Sequence, residues 1–497
     1  MAKSFSFGSA DLVASADTDR APAVPDAETP FRILVLGDFR GKTGSANIGR
    51  PLIIDRDNFD DVMAKLGVAL KLTVGNDPQP IALTFNELED FHPDRIYERA
   101  EVFQALRKKR RDLNDPATFA EAARSFAKPA EPVVETTLET PAADPANLLD
   151  QIIAKTSGVA WQPSPPQPKG DFDRFLERLI APYGVAAKDP RQDELVASVD
   201  RATSGLMRDV LHDPDFQACE AAWRGLFFLT RRLDTDVFLT ISVCDISQDV
   251  FTKSVVNDDP LATSFHKALI EPTLDESGEP PWAVIVGAYT FGLDAESVAT
   301  LERITGLARL AGAPFLAAAG PSFLGVASIA EHPDPDDWKS PADLAEFEAL
   351  TALRRSARAR YLGLALPRFL LRLPYGKNDR PIDAFAFEEL SEGRRHEDFL
   401  WGNPAFVLAE LLGRAFTHRG WSLEPGGFQE VEGLPLHVDR SEGEATPCAE
   451  AWLSVRAAEN LLDRGLMPLL SIRGRDAIRL GRFQSVAEPA AALSGKW

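Results

Sequence analysis

The chain is short of the residue types that usually mark chemistry. Its 497 residues include three cysteines, seven histidines, five tyrosines and four methionines. Cys219, Cys244 and Cys448 are far apart, odd in number and in no metal-ligand spacing. They read as reduced thiols rather than a disulfide framework. The histidines, from His92 to His437, are scattered, and no pair has the i, i+4 spacing of a zinc-binding helix. Positive charge is also scarce, with 54 Lys and Arg against 75 Asp and Glu and a net charge of −21. Such a chain adds repulsion before it can release phosphate counterions, so no nucleic-acid partner is expected. No apolar run approaches the roughly 18 residues that span a bilayer. Met1–Asp11 carries one lysine and no apolar core of a secretion signal. These absences point to a cytoplasmic protein with no cofactor and no direct membrane insertion, too long for a single ordinary core.

What is present is globular, 44% hydrophobic and 26% charged. Residues 1–30 form a polar arm in which Phe5, Phe7 and Leu12 mark a possible edge strand. The run Phe31 to Leu36, ending in Gly37, predicts a strand buried on both faces. Pro51 to Ile54 is a second strand candidate. Asn58 opens a helix with Phe59, Val62, Met63 and Leu66 at i, i+3, i+4 and i+7. Leu70–Val74 and Ile81–Phe85 alternate around a turn. Asp90 is expected to cap a helix running through Ile96 to Leu106. Residues 31–127 therefore read as a small α/β domain.

Residues 128–170 change character. Pro129, Pro132, Pro141 and Pro145 alternate with Glu, Thr and Ala, which is linker composition. One amphipathic island, residues 147–157, interrupts it. An isolated helix of that length is marginal in water, so its stripe of Leu148, Leu149, Ile152 and Ile153 needs a surface. That surface is either another protein's groove or this chain itself. Residues 171–497 read as a larger α/β domain. Helices are expected near 172–180, 191–211, 215–232, 294–311, 342–358 and 403–416, and strands at 237–243, 282–287 and 315–319. This alternation implies a mainly parallel or mixed sheet covered by helices.

Three charged segments attract a functional reading. Gly37-Asp38-Phe39-Arg40-Gly41-Lys42-Thr43 follows a buried strand as a phosphate-binding loop would. Such a loop needs four residues between its glycines and a helix at the Lys-Thr step. Here three intervene, the chain continues as loop and strand, and no later strand is expected to end in a magnesium-binding aspartate. A tight strand-exit turn is the better reading. The acidic run Glu331 to Asp337 lacks calcium-loop spacing and reads as solvated loop. The basic run Arg107-Lys108-Lys109-Arg110-Arg111 is either a solvated helix end or a contact to an acidic neighbour.

Several segments carry a family resemblance. Pro30 to Phe39, Asp55 to Asp60 and Leu88 to Asp94 resemble the small subunit of the type VI secretion contractile sheath. His212–Phe216, Glu220–Leu226, Ala365–Phe369, Arg372–Gly376, Leu400–Asn403 and Glu432–Pro435 resemble its large subunit, in the right order. The chain looks like a fusion of two subunits normally made separately. The resemblance implies a contractile-sheath-like fold and a structural role without catalysis. The implied partners are other sheath protomers, the inner tube, the baseplate and an AAA+ recycling unfoldase. That unfoldase would dock on Leu148, Leu149, Ile152 and Ile153, while Phe5, Phe7 and Leu12 would supply an inter-subunit strand. The chain stops at Trp497, where the family usually continues, so a C-terminal portion of the large subunit is expected to be missing. The alternatives are a sheath-associated cap or adaptor that does not polymerise alone, and a nucleotide-binding α/β protein.

Overall fold

A computed structural model describes residues 24–41, 48–74, 80–115, 118–124, 176, 192–257, 259–274, 278–344, 346–390, 395–438, 443 and 445–497. The expected edge strand (Phe5, Phe7, Leu12) and the tethered island (Leu148, Leu149, Ile152, Ile153) lie outside the described residues.

Phe31–Gly37 forms β1, and its uninterrupted apolar run is buried on both sides as such runs require. Phe31, Ile33 and Val35 enter one core, and Leu34 and Leu36 the other. The first region continues with β2 (Leu52–Ile54), α1 (Phe59–Leu66), and an antiparallel hairpin of β3 (Val68–Leu72) and β4 (Ile81–Phe85). α1 starts after Asn58 as its spacing predicts. It stops at Gly67, whose left-handed backbone (φ 68°) lets its N–H reach the Met63 and Ala64 carbonyls.

The single helix expected from Asp90 to Leu106 is instead two, α2 (Pro93–Arg99) and α3 (Glu101–Asn114), split by extended backbone at Ala100. Asp90 caps neither α2 nor α3. It is buried in the short 3-10 turn Leu88–Phe91, where its carboxylate accepts the N–H of Asn86 at 2.8 Å and, in a capping box, that of Glu87 at 3.3 Å. Pro93 then opens α2 at a position where its missing N–H costs nothing. The short α4 (Phe119–Arg124) closes this region.

The second region supplies α5 (Gln192–Leu211), α6 (Pro214–Arg232), β5 (Leu239–Asp245), α7 (Gln248–Ser254), β6 (Trp282–Phe291), α8 (Ala295–Ala311) and β7 (Phe315–Ala319). There follow α9 (Phe347–Arg355), β8 (Leu362–Leu366), β9 (Phe369–Leu370), β10 (Trp401–Gly402) and α10 (Ala405–Arg419). The last elements are β11 (Glu430–Val431), α11 (Val455–Asp463), β12 (Met467–Ser471) and β13 (Ile478–Leu480). α9 is shorter than the expected 342–358 helix, because Pro341–Asp343 makes a separate 3-10 turn before it.

Among the described residues, nine strands form one sheet in the order β11-β13-β12-β8-β7-β6-β1-β5-β2. Every pairing from β12 through β5 is parallel, and β2, β13 and β11 add antiparallel edges. The α/β class and the mainly parallel sheet are as expected. The two sequence regions are also continuous in space. β1 pairs with β5 from Phe31↔Leu239 to Gly37↔Asp245 and with β6 on its other side.

Helices α5, α6 and α10 cover one face of the sheet and α8 and α11 the other. α6 and α10 approach closely because Gly225 has no side chain: a Cβ there would stand 2.3 Å from the Phe406 ring. The final segment runs beneath the amino ends of the strands. Val486 N–H bonds the Leu362 carbonyl, Ser494 N–H bonds that of Arg360, and Trp497 lies 6.5 Å from the Phe31 ring. No helix among the described residues is long and apolar enough to cross a membrane.

If β1 is an interior strand, Ile33→Ala should lower global stability by about 2–5 kcal/mol. Denaturant unfolding followed by tryptophan fluorescence and by circular dichroism should remain one coincident transition. A separate early transition confined to residues 31–124 would contradict this arrangement.

Candidate functional site

The turn after β1 shows why the loop-like sequence at Gly37 cradles no phosphate. β5 ends in an aspartate, contrary to the sequence expectation, and places Asp245 beside Gly37. Asp245 Oδ1 accepts the N–H groups of Phe39 (2.9 Å) and Arg40 (3.0 Å), the donors a phosphate would need. Burial pushes the Asp245 carboxyl up to about 6, against those two N–H groups, which favour its charged form. The turn is held from the other side by Trp223 of α6. Its Nε1 donates to the Phe39 carbonyl at 2.8 Å, and its ring meets those of Phe39 and Phe59 edge-on at 5.3 and 5.6 Å.

Trp223 leads along α6 to a cluster of buried charge. Arg372 is 4% exposed and lies between Glu220 of α6 and Glu389. It gives Glu220 bonds of 2.9 and 3.3 Å and Glu389 bonds of 2.8 and 2.9 Å. Arg224 bonds the same Glu220 at 2.7 Å, one helical turn on, and Tyr375 N–H donates to Glu389 at 2.6 Å. The Arg372 guanidinium also lies 4.5 Å over the Tyr375 ring. His212 stands 3.7 Å from Glu389 and 3.5 Å from Asp398. Burial works to raise the Glu389 carboxyl, but Arg372, His212 and the Tyr375 N–H bring it down to about 2. Arg372 is held protonated well above its ordinary value, because its two carboxylates outweigh its burial.

A second cluster lies nearby. Glu450 takes the guanidinium and backbone N–H of Arg368 and accepts from His396 at 3.0 Å. Burial again acts upward, and His396 with Arg368 lowers the Glu450 carboxyl to about 2. His396 stacks on Trp401 at 4.8 Å. Between α6 and this Trp401 loop lies a cavity of about 540 Å³, with Ala218, Ala221 and Ala222 on one wall and Arg368, Trp401 and Asn403 among its other lining residues. Together the clusters fasten α6, the segment after β8 and the segment before α10. Their charges are spent on one another, which makes them braces.

The three thiols are free and buried, with Cys244 pushed up to about 12 and Cys448 to about 11 by desolvation. Glu389 and Glu450 had no signal in the sequence, since each sits in an irregular segment with no periodicity. Glu220, Arg368, Arg372, Trp401 and Asn403 all fall within the segments that carry the resemblance, and the fold draws those segments together.

Comparison with known proteins agrees. The family described as "VipB: EvpB/VC_A0108, tail sheath N-terminal domain" matches residues 193–487, which span α5 through β13. The chain belongs to this type VI secretion tail sheath family. A second family, "Type VI secretion system, VipA, VC_A0107 or Hcp2", matches residues 16–141, so this sheath chain carries small- and large-subunit regions in tandem. It is 32% identical over 309 residues to the type VI secretion system sheath protein TssC1 of Pseudomonas aeruginosa. That alignment covers 60% of the sheath chain and 62% of TssC1, so the chain spans about three-fifths of this relative's length.

Removing Arg372 tests the brace. Arg372→Ala leaves buried Glu389 with no guanidinium partner and Glu220 with Arg224 alone, and should cost about 3–5 kcal/mol. Glu389 and Glu450 titrate below their ordinary value of 4.5, so the stability they add is present above that pH and lost as pH falls toward 2. Urea midpoints measured from neutral pH downward should therefore drop below about pH 4.5, and less steeply in Arg372→Ala. Identical acid profiles for the two proteins would contradict the role given to Arg372.

Proposed function

We propose that this chain is a non-enzymatic protomer of a type VI secretion contractile sheath, with its small and large portions joined in one polypeptide. The observation that supports it is β1. The leading strand of the small-subunit region sits between β5 and β6 of the large-subunit region, so one chain contains the pairing that two subunits would otherwise make. Tethering replaces a bimolecular encounter with a local concentration on the order of millimolar.

On this reading the protomers stack into a helical tube in the cytoplasm, on a baseplate and around an inner tube, and contraction drives the inner tube outward. Phe5, Phe7 and Leu12 supply a strand to a neighbouring protomer. Leu148, Leu149, Ile152 and Ile153 form the apolar face that an AAA+ unfoldase grips when the contracted tube is dismantled. The carboxylate already seated on the Phe39 and Arg40 N–H groups weighs against the nucleotide-binding alternative.

Electron microscopy of the chain, expressed alone and with its neighbouring secretion genes, tests the assembly. Tubes decorated along their whole length are expected, and protein confined to tube ends would favour the cap or adaptor instead. For the tethered island, Leu149→Asp and Ile152→Asp should each leave the unfolding transition unchanged and lower unfoldase affinity at least about tenfold, a loss of about 1.4 kcal/mol. Unchanged affinity in an anisotropy titration would reject that docking role.

A further inference from the structure

Two surfaces of opposite sign lie on opposite faces of the nine-stranded sheet, and neither takes part in the packing described above. The first is α3. Its buried residues Val102, Phe103, Leu106 and Leu113 join the same core as Ile33 and Val35. The other side of the helix presents Arg107, Lys108 and Arg111 along an open groove of about 1060 Å³, which Tyr97 and Ala384 help to line. Arg110 is paired with Asp200 at 2.6 Å, and Arg107 lies 5.3 Å over the Tyr97 ring. Lys108 and Arg111 are exposed and make no ion pair among the described residues.

The second surface is the loop 331–337, where Glu331, Asp334, Asp336 and Asp337 are all exposed. The loop is anchored by Trp338, which belongs to the core containing Leu34 and Leu36 and donates its Nε1 to the His332 carbonyl at 2.9 Å. Asp334 caps the short 3-10 turn Pro335–Asp337, which gives the loop a fixed shape. Arg456 pairs with Asp336, and Asp337 lies 3.7 Å from His332. Each surface holds a minority of the other sign: Glu98 and Glu101 line the groove, and Arg456 flanks the loop.

We propose that the groove along α3 receives the 331–337 loop of a second copy of this chain. The proposal rests on the sheath reading and adds to it a specific contact between protomers. Copies carrying −21 repel at long range, so association has to be guided by local patches of opposite sign. The basic groove and the acidic loop supply such patches, and the sheet between them prevents the loop from reaching the groove of its own chain. A contact from one face to the opposite face is head-to-tail, the kind that propagates into rings or open helical arrays instead of closing as a two-fold dimer. A preformed loop entering a preformed groove loses little conformational freedom on binding.

A charge swap tests this in the full chain, by sedimentation velocity and negative-stain imaging at low and high salt. Lys108→Glu with Arg111→Glu, and separately Glu331→Lys with Asp337→Lys, should each reduce the assembled fraction about tenfold or more while circular dichroism and thermal unfolding stay unchanged. Combining all four substitutions should restore assembly, and wild-type assembly should weaken as salt rises. An assembling wild type whose two double variants assemble equally well overturns this contact alone. So does loss of assembly from the basic-side variant with none from the acidic-side variant, which would place a different acidic segment in the groove. Failure of the combined variant to recover also overturns it. A wild type that stays monomeric with its secretion partners overturns the sheath reading, and this contact with it.

Discussion

A strand that is covered on both faces and hydrogen-bonded along both edges can leave only if the sheet is torn open. β1 is in that position, with Leu34 and Leu36 in one core, Ile33 and Val35 in the other, and parallel partners on either side. The helices of both faces pack on a sheet that is incomplete without it. The described part of residues 31–124 is therefore no independent appendage, since its leading strand lies inside the sheet of the second region. The shared sheet couples the two regions through backbone hydrogen bonds along both edges of β1, in addition to side-chain packing.

Around that sheet, electrostatics serves placement. Asp245 closes the exit turn of β1 by taking two backbone donors, and Trp223 pins the same turn from α6. Further along α6, Arg372 between Glu220 and Glu389 fastens the helix to the segment after β9. An ion group so deeply buried adds little net stability over a well-packed apolar one, but removing any member is costly. It therefore fixes which segments may pack together. At one rim of the sheet, Arg414 donates to the Glu430 carbonyl and Arg232 to those of Glu432 and Gly433. Guanidinium groups so placed occupy one acceptor of the edge strand β11 and two just beyond its end, and discourage unplanned strand pairing there.

Much of this was legible in the sequence where the signal is local. The apolar run at Phe31–Gly37, the strand at Phe315–Ala319 and the 3.6-residue period of Ala295–Ala311 each carry their own evidence, and each appears as expected. The neighbours of β1 were not legible, since Phe31 and Leu239 pair across some two hundred residues with no local mark of their register. The break at Ala100 was missed because alanine is the best helix former. At the break the Glu98 and Arg99 carbonyls accept from the Gln104 side chain at 3.1 Å each, a compensation that residue propensity does not reveal. Asp90 looked like a helix cap, yet its carboxylate is committed to the turn before Pro93. Glu389 and Glu450 were invisible because a buried charge in an irregular segment leaves no periodic trace.

The central claim is that β1 belongs to the sheet of the large-subunit region. Native-state hydrogen exchange measures this most directly. If the claim holds, the amides of Ile33 to Leu36 are as strongly protected as those of Ile241, Ile285 and Val286, and all exchange only through global unfolding. Rapid exchange along β1 while β5 and β6 stay fully protected would show that the small region docks and undocks on its own, and would contradict the account.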